Sequence, residues 1–221
     1  MIYEIKSDKG VLVAEIHFLT DRKEIKNSKV TRLIKEALLK CYKEIPLKNK
    51  KVAVFYTDYK FIKDKMGGVG GNALHENLIS LYINPSNKKW KDRLESFIVH
   101  EYSHLTVFDK RKWKTIEDSL IIEGIAEVFR DEIVGGKPSP WTSALTEKEA
   151  KDLLKKIKNK LKTPVEKMHK ELFFGSKEFK MWSGYSLGYQ IVKSFRKKYP
   201  ELSWKKIIKM KSSEILKKSE F

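Results

Sequence analysis

The residues best suited to chemistry in this 221-residue chain lie in one octapeptide, FIVHEYSH at Phe97 to His104, which contains the spacing His-Glu-x-x-His. On a helix, His100 and His104 stand one turn apart and project from one face, so both imidazoles can reach a single zinc ion. Glu101 lies about 100° further round, where its carboxylate can take a proton from water activated at such an ion. Leu94, Phe97, Ile98, Leu105 and Phe108 share the side bearing the histidines, which turns the charged trio inward. Two histidines and a glutamate on a buried face are costly unless something compensates them, and a metal ion would. The alternative is a helix whose two histidines are satisfied structurally. A third ligand decides between these readings.

That ligand is not a further histidine on the same run. In the pattern HExxHxxGxxH the glycine and the third histidine would fall at Val107 and Lys110, which excludes the metzincin class. The next helical stretch, LIIEGIAEVF at Leu120 to Phe129, carries Glu123 and Glu127 one turn apart. Both continue the inward series Ile116, Leu120, and carboxylates in so apolar a stretch need a partner. Eighteen residues separate His104 from Glu123, room for a helix end, a loop and a return helix. Glu123 is therefore the expected third zinc ligand, with one Zn2+ per chain. Glu127 is placed to accept a hydrogen bond from the outer nitrogen of a ligand histidine. The competing role for the two glutamates is a salt bridge to Arg130 or a lysine.

The elements that must position these residues are legible in outline. Met1 to Lys6 and Val11 to Phe18 read as a strand hairpin, Asp21 to Glu44 as a long helix stopping before Pro46, and Lys51 to Tyr56 as a strand. A glycine cluster, Gly67, Gly68, Gly70 and Gly71, precedes a strand at Leu78 to Asn84. From Trp90 onward the chain reads as helices over about 90–108, 115–134, 147–162, 164–172, 184–198 and 202–218, with a loop at Gly135 to Trp141. Strands first and helices after predict an α+β fold: a small N-terminal mixed sheet, with an edge strand before the HExxH helix, leaning on a mainly helical bundle. The expected organisation is a single domain over 1–221, in which 1–88 is mostly β with one long helix and 89–221 is helical.

Composition narrows the function. The 47 Lys+Arg against 29 Asp+Glu give a formal +18, and 41% hydrophobic residues exclude a disordered chain. The single cysteine, Cys41, excludes a disulfide framework and a cysteine-based zinc cluster. The longest stretch free of charge, Met181 to Val192, has twelve residues, against the roughly 20 that a membrane span needs. With no hydrophobic leader at the N-terminus, the expected localisation is cytoplasmic. Residues 151 to 221 hold 20 Lys+Arg and 7 Asp+Glu, so most of the basic excess sits in the last third. Solvated outer faces of amphipathic helices account for it, and a basic surface for an anionic partner is the sharper alternative. These segments are lysine-rich rather than arginine-rich and carry no nucleic-acid-binding signature, so no specific nucleic acid is expected.

HExxH followed about twenty residues later by E-x-x-x-[DE] resembles the gluzincin metallopeptidases of the thermolysin-like clan. It is similar, more closely, to the YjaZ-like predicted Zn-dependent proteases. HEYSH at 100–104, EGIAE at 123–127, Pro140 and Trp141, FFGS at 173–176 and GYSLGYQIV at 184–192 carry the resemblance, over roughly residues 68 to 195. It implies zinc on His100, His104 and Glu123, Glu101 as general base, Glu127 as an orienting carboxylate, and a peptide or protein substrate. Gluzincins add peptide substrates to an edge strand just before the HExxH helix. The resemblance therefore implies a flexible glycine loop leading into such a strand within Gly67 to Asn84, with Gly70, Gly71, Ser80 and Tyr82 as its substrate contacts. A metallopeptidase also needs a donor for the oxyanion of its tetrahedral intermediate. Tyr185, ahead of Tyr189, is the expected donor, against the alternative that both are buried structural tyrosines. His169 and His75 are weaker donor candidates that read as ordinary surface or loop histidines, and His17 lies in a strand far from the motif. The expectation is a zinc-dependent peptidase; its competitors are a non-catalytic zinc-binding interaction module and a basic nucleic-acid or anionic-surface binder.

Overall fold

Apolar residues at alternate or consecutive positions in the first half of the chain build five strands. A computed structural model describes residues 2–108, 110–135 and 138–221, and at Leu74 the backbone alone. Met1 of the expected first strand, and Gly136 and Lys137 of the expected loop, lie outside the described residues. The fold is α+β, with two compact units, Met1–Asp109 and Lys110–Phe221.

In the first unit, strands β1 (Ile2–Lys6), β2 (Leu12–Phe18), β3 (Lys50–Tyr56), β4 (Val69–His75) and β5 (Leu78–Ile83) form a mixed sheet in the order β1-β2-β3-β5-β4. The β1–β2 and β4–β5 pairs are antiparallel, and β3 runs parallel to both β2 and β5. The inner strands read as buried runs, Val52–Ala53–Val54 on β3 and Ile79–Ser80–Leu81 on β5, as strands covered on both faces do. Helix α1 (Ser28–Glu44) makes the crossover from β2 to β3. It buries the predicted stripe Val30, Ile34, Ala37, Leu38 and Cys41. The helix begins at Ser28 and not near Asp21, because the Asn27 side chain accepts the Val30 N–H and caps it there. A short helix the sequence reading lacked, α2 (Lys60–Lys65), precedes the glycine segment.

The glycine segment corrects an expectation. Gly67 and Gly68 turn the chain with positive φ, but Gly70 and Gly71 are not a loop: they lie within β4, which is itself the sheet edge. Leu78 to Ile83, expected to be that edge strand, is internal, paired on both sides by β3 and β4.

Helix α3 (Trp90–Val107) carries the HExxH residues and packs on α1, β4 and β5. It lies in the first compact unit, with the sheet. Tyr102, between the two histidines, fixes its rotation. The buried hydroxyl donates to the Ile45 carbonyl (2.7 Å) and accepts from the Leu47 N–H (3.2 Å), just beyond the end of α1.

The second unit is helical: α4 (Ile116–Val134), α5 (Glu147–Ile157), α6 (Val165–Phe174), α7 (Ser183–Lys198), α8 (Trp204–Ile207) and α9 (Ser212–Lys218). Helices α4 and α5 start at capping boxes, Thr115 with Asp118 and Thr146 with Glu149. The segment read as one helix over 202–218 breaks into α8 and α9. Helix α4 is buried almost all round and is the centre of this unit. It meets α7 at a glycine crossing: a Cβ on Gly124 would lie 2.2 Å from the Gly188 carbonyl oxygen, and one on Gly188 would lie 2.1 Å from that of Leu120. Only glycine at both positions permits that approach.

Candidate metal centre

Helix α3 brings the two histidines into register. Their Nε2 atoms are 3.0 Å apart and their rings stand at 79° to one another. Two nitrogens at about 2.05 Å from a tetrahedral zinc would be about 3.3 Å apart, so the pair fits a shared ion with little adjustment. His104 is buried and His100 half-buried. Of the predicted apolar set, Leu94, Phe97, Ile98 and Leu105 are buried, whereas Phe108 is 39% exposed, because the helix ends at Val107.

Glu101 is buried and lies directly below the edge strand. A Cβ on Gly71 would be 2.6 Å from Glu101 Cγ and 2.8 Å from its Oε1. Gly70 faces the Ile62 side chain of α2 in the same way. In the β4–β5 register Gly70 opposes Tyr82 and Asn72 opposes Ser80. Ser80 is buried, and Tyr82 stacks on Phe55 at 5.4 Å.

On α4, Glu123 and Glu127 are both buried. Glu127 Oε1 accepts the indole N–H of Trp141 at 2.6 Å, and its Oε2 accepts from Arg130 at 3.3 Å. Arg130 continues to Asp131 at 2.6 Å. Asp131 accepts the Tyr189 hydroxyl hydrogen, and Lys193 donates to the Tyr189 oxygen at 3.0 Å. Burial pushes the Tyr189 hydroxyl well above its ordinary pKa, and the bond to Asp131 adds to the rise. Tyr185, one turn earlier on α7, is half-buried with its ring edge-on to Phe173 at 5.0 Å.

His169 on α6 is not an ordinary surface histidine. Its ring stacks on Phe173 at 4.3 Å and 12°. Burial lowers its pKa, and the negative charge of Glu123 opposes the fall, which puts it in the electrostatic neighbourhood of Glu123. Arg130 pairs with Glu127, the competing role expected for that glutamate; the bond from Trp141 to Glu127 and the burial of His169 were not expected. His75 is exposed on β4, and His17 bonds Glu15 on β2 at 3.0 Å.

Among the described residues, the side chains grouped so that they could hold a metal ion are His100, His104 and Glu123, whose candidate ligand atoms lie within 4.8 Å of one another. Two imidazoles and a carboxylate are a zinc-type donor set. Fold and donor set thus define an α+β protein with a candidate divalent-metal centre. More particularly, residues 30–217 match the family described as predicted Zn-dependent protease (DUF2268), and the chain belongs to that family. No curated protein and no solved structure matches the chain. No helix among the described residues is long and apolar enough to cross a membrane.

Proposed function

We propose that the chain is a gluzincin-type zinc metallopeptidase of the YjaZ-like kind, hydrolysing peptide bonds in a peptide or protein substrate. The observation that carries this reading is the convergence of the two histidine Nε2 atoms, 3.0 Å apart, on a helix whose Glu101 lies under the edge strand. His100, His104 and Glu123 would hold one Zn2+. Bound there, zinc would polarise a scissile carbonyl and lower the pKa of water toward about 7.

The chain's own groups supply the rest. Strand β4, paired by β5 alone, would offer its outer row of backbone donors and acceptors to an extended peptide. Ser80 and Tyr82 act only through β4, because their own strand is internal. Glu101 takes the proton of the attacking water on a carboxylate oxygen and returns it to the leaving amine. Tyr185 donates its hydroxyl hydrogen to the developing oxyanion; Tyr189 is the weaker candidate, since its own hydroxyl hydrogen goes to Asp131. Glu127, held by Trp141 and Arg130, orients a ligand histidine. The one cysteine, Cys41, is free and buried, as suits a reducing cytoplasm. An intact Glu101 favours turnover over a purely structural metal site, which has no use for a base there.

The test is metal content of purified wild type beside His100→Ala and Glu123→Gln, followed by a peptide-library cleavage screen with Glu101→Gln as control. One zinc per wild-type chain, loss of zinc in both ligand variants, and cleavage abolished in a zinc-replete Glu101→Gln are expected. Wild type that takes up no zinc on reconstitution overturns the reading.

A further inference from the structure

The basic excess of the chain is not evenly spread. Part of it converges on a pocket of about 550 Å³ in the second unit, formed by the segment before α4, the start of α4 and the turn between α8 and α9. Lys110, Lys112 and Lys114 come from one side, Lys209 and Lys211 from the other. None of these five makes an ion pair among the described residues.

The acidic residues of the pocket are already engaged. Glu117 pairs with Lys162 at 2.8 Å. Asp118 caps α4 and accepts the Ser212 hydroxyl hydrogen at 2.7 Å. Arg111 acts as a strut across the floor, donating to the Ile207 carbonyl at 3.3 Å and the Ser212 hydroxyl at 3.0 Å. Its Nε is buried without a hydrogen-bond partner. Burial lowers its pKa to about 10, so it stays cationic at neutral pH.

Five ammonium groups with no ion pair among the described residues stand around one concavity, repel one another and focus a positive potential into it. An anion of high charge density relieves that repulsion. The pocket carries no aromatic side chain, so it offers no platform on which a nucleic-acid base could stack. Its free cations are lysines, compact point charges without the fixed fork that selects a planar carboxylate. We infer that this pocket is a binding site for a short chain of linked phosphates, recognised by Lys110, Lys112, Lys114, Lys209 and Lys211 around the Arg111 strut. The site is independent of the proposed peptidase chemistry. Phosphate-chain binding would bear on the N-terminal end of α4, the helix that carries Glu123 two turns further on.

Calorimetric titration of the full chain with inorganic tripolyphosphate tests this. One-to-one binding that weakens with added salt is expected, with affinity reduced about tenfold or more in Lys209→Glu/Lys211→Glu and again in Lys112→Glu/Lys114→Glu. The control Lys155→Glu/Lys158→Glu makes the same charge change elsewhere and should bind as wild type. Extraction of a bound metal by tripolyphosphate would be the same in all four proteins, and so cannot mimic the expected pattern. Absence of binding, equal weakening in the control, or tighter binding of hexaglutamate or a DNA oligonucleotide at the same lysines each overturns the assignment. Circular dichroism of each variant establishes that it is folded before it is scored.

Discussion

Glu101 is held in place by shape as much as by bonding: the missing side chain of Gly71 is the room its carboxylate occupies. In Gly71→Ala the new methyl would crowd Oε1 at 2.8 Å and displace the carboxylate. Turnover should fall by about 10²-fold, as misplacements near 1 Å do, while zinc content stays at the wild-type level. Steady-state kinetics and elemental analysis on one preparation check both halves. The two tyrosines divide similarly. Tyr185→Phe should lower kcat by about 10²-fold with little change in melting, as loss of an oxyanion donor does. Tyr189→Phe removes one of two partners of Asp131, the other being Arg130, and should cost about 1 kcal/mol of stability while kcat is kept; denaturant titration separates the two. At this scale much was legible in the sequence. His100, Glu101, His104, Glu123 and Glu127 are chemically unusual in apolar surroundings, and that contrast is visible without coordinates. The bond from Trp141 was not, because an indole paired to a distant carboxylate leaves no periodic trace in the chain, whereas Arg130 stands three residues from Glu127 on the same helix. His169 was misjudged because its burial comes from stacking on Phe173 and not from its own helix pattern.

The crossing of α4 and α7 sets how the Glu123 helix and the Tyr185 helix meet. Gly188→Ala places a methyl 2.1 Å from the Leu120 carbonyl oxygen, so the helices must separate. A loss of about 1–3 kcal/mol is expected, as in other overpacked interiors, read as a lower denaturation midpoint. The first turn of α4 is sensitive to acid. Burial alone would raise the pKa of Asp118, but hydrogen bonds from Ser212 and Thr115 and from the backbone at Lys114 and Thr115 outweigh it and hold it below the ordinary carboxylate range. The folded state therefore binds fewer protons here than the unfolded state, whose pKa is about 3.9. The contribution is present above that pH and is lost as pH falls through the lower folded value. The stability gap between wild type and Asp118→Asn should accordingly close below about pH 4 in denaturant titrations run as a pH series. Amphipathic elements were legible because one face repeats: the α1 stripe and the α4 inward series are where periodicity put them. Strand order was not. Nothing in the composition of Gly70 and Gly71 announces a strand, since glycine is depleted in strands generally. The two positions are glycine because Ile62 of α2 and Glu101 of α3 stand where their side chains would lie.

For the molecule as a whole, metal and stability are linked. In the proposed site, a zinc ion on His100, His104 and Glu123 would bind the native chain and not the unfolded one, so at free zinc 100-fold above its Kd it would add about 2.7 kcal/mol. Chelation should lower the Tm of wild type and leave that of His100→Ala unmoved, which differential scanning calorimetry can read. The sheet carries a colloidal consequence as well. The outer row of β4 that could receive a peptide is, to a second copy of the chain, a template for strand addition. Two restraints oppose that fate: glycines, which make β4 a poor self-pairing strand, and a formal charge of +18, which keeps copies apart. The first is intrinsic and the second is electrostatic, so salt removes only one of them. A chain that disperses well in dilute buffer would lose that protection as ionic strength rises, and its shelf life would then depend on two missing side chains.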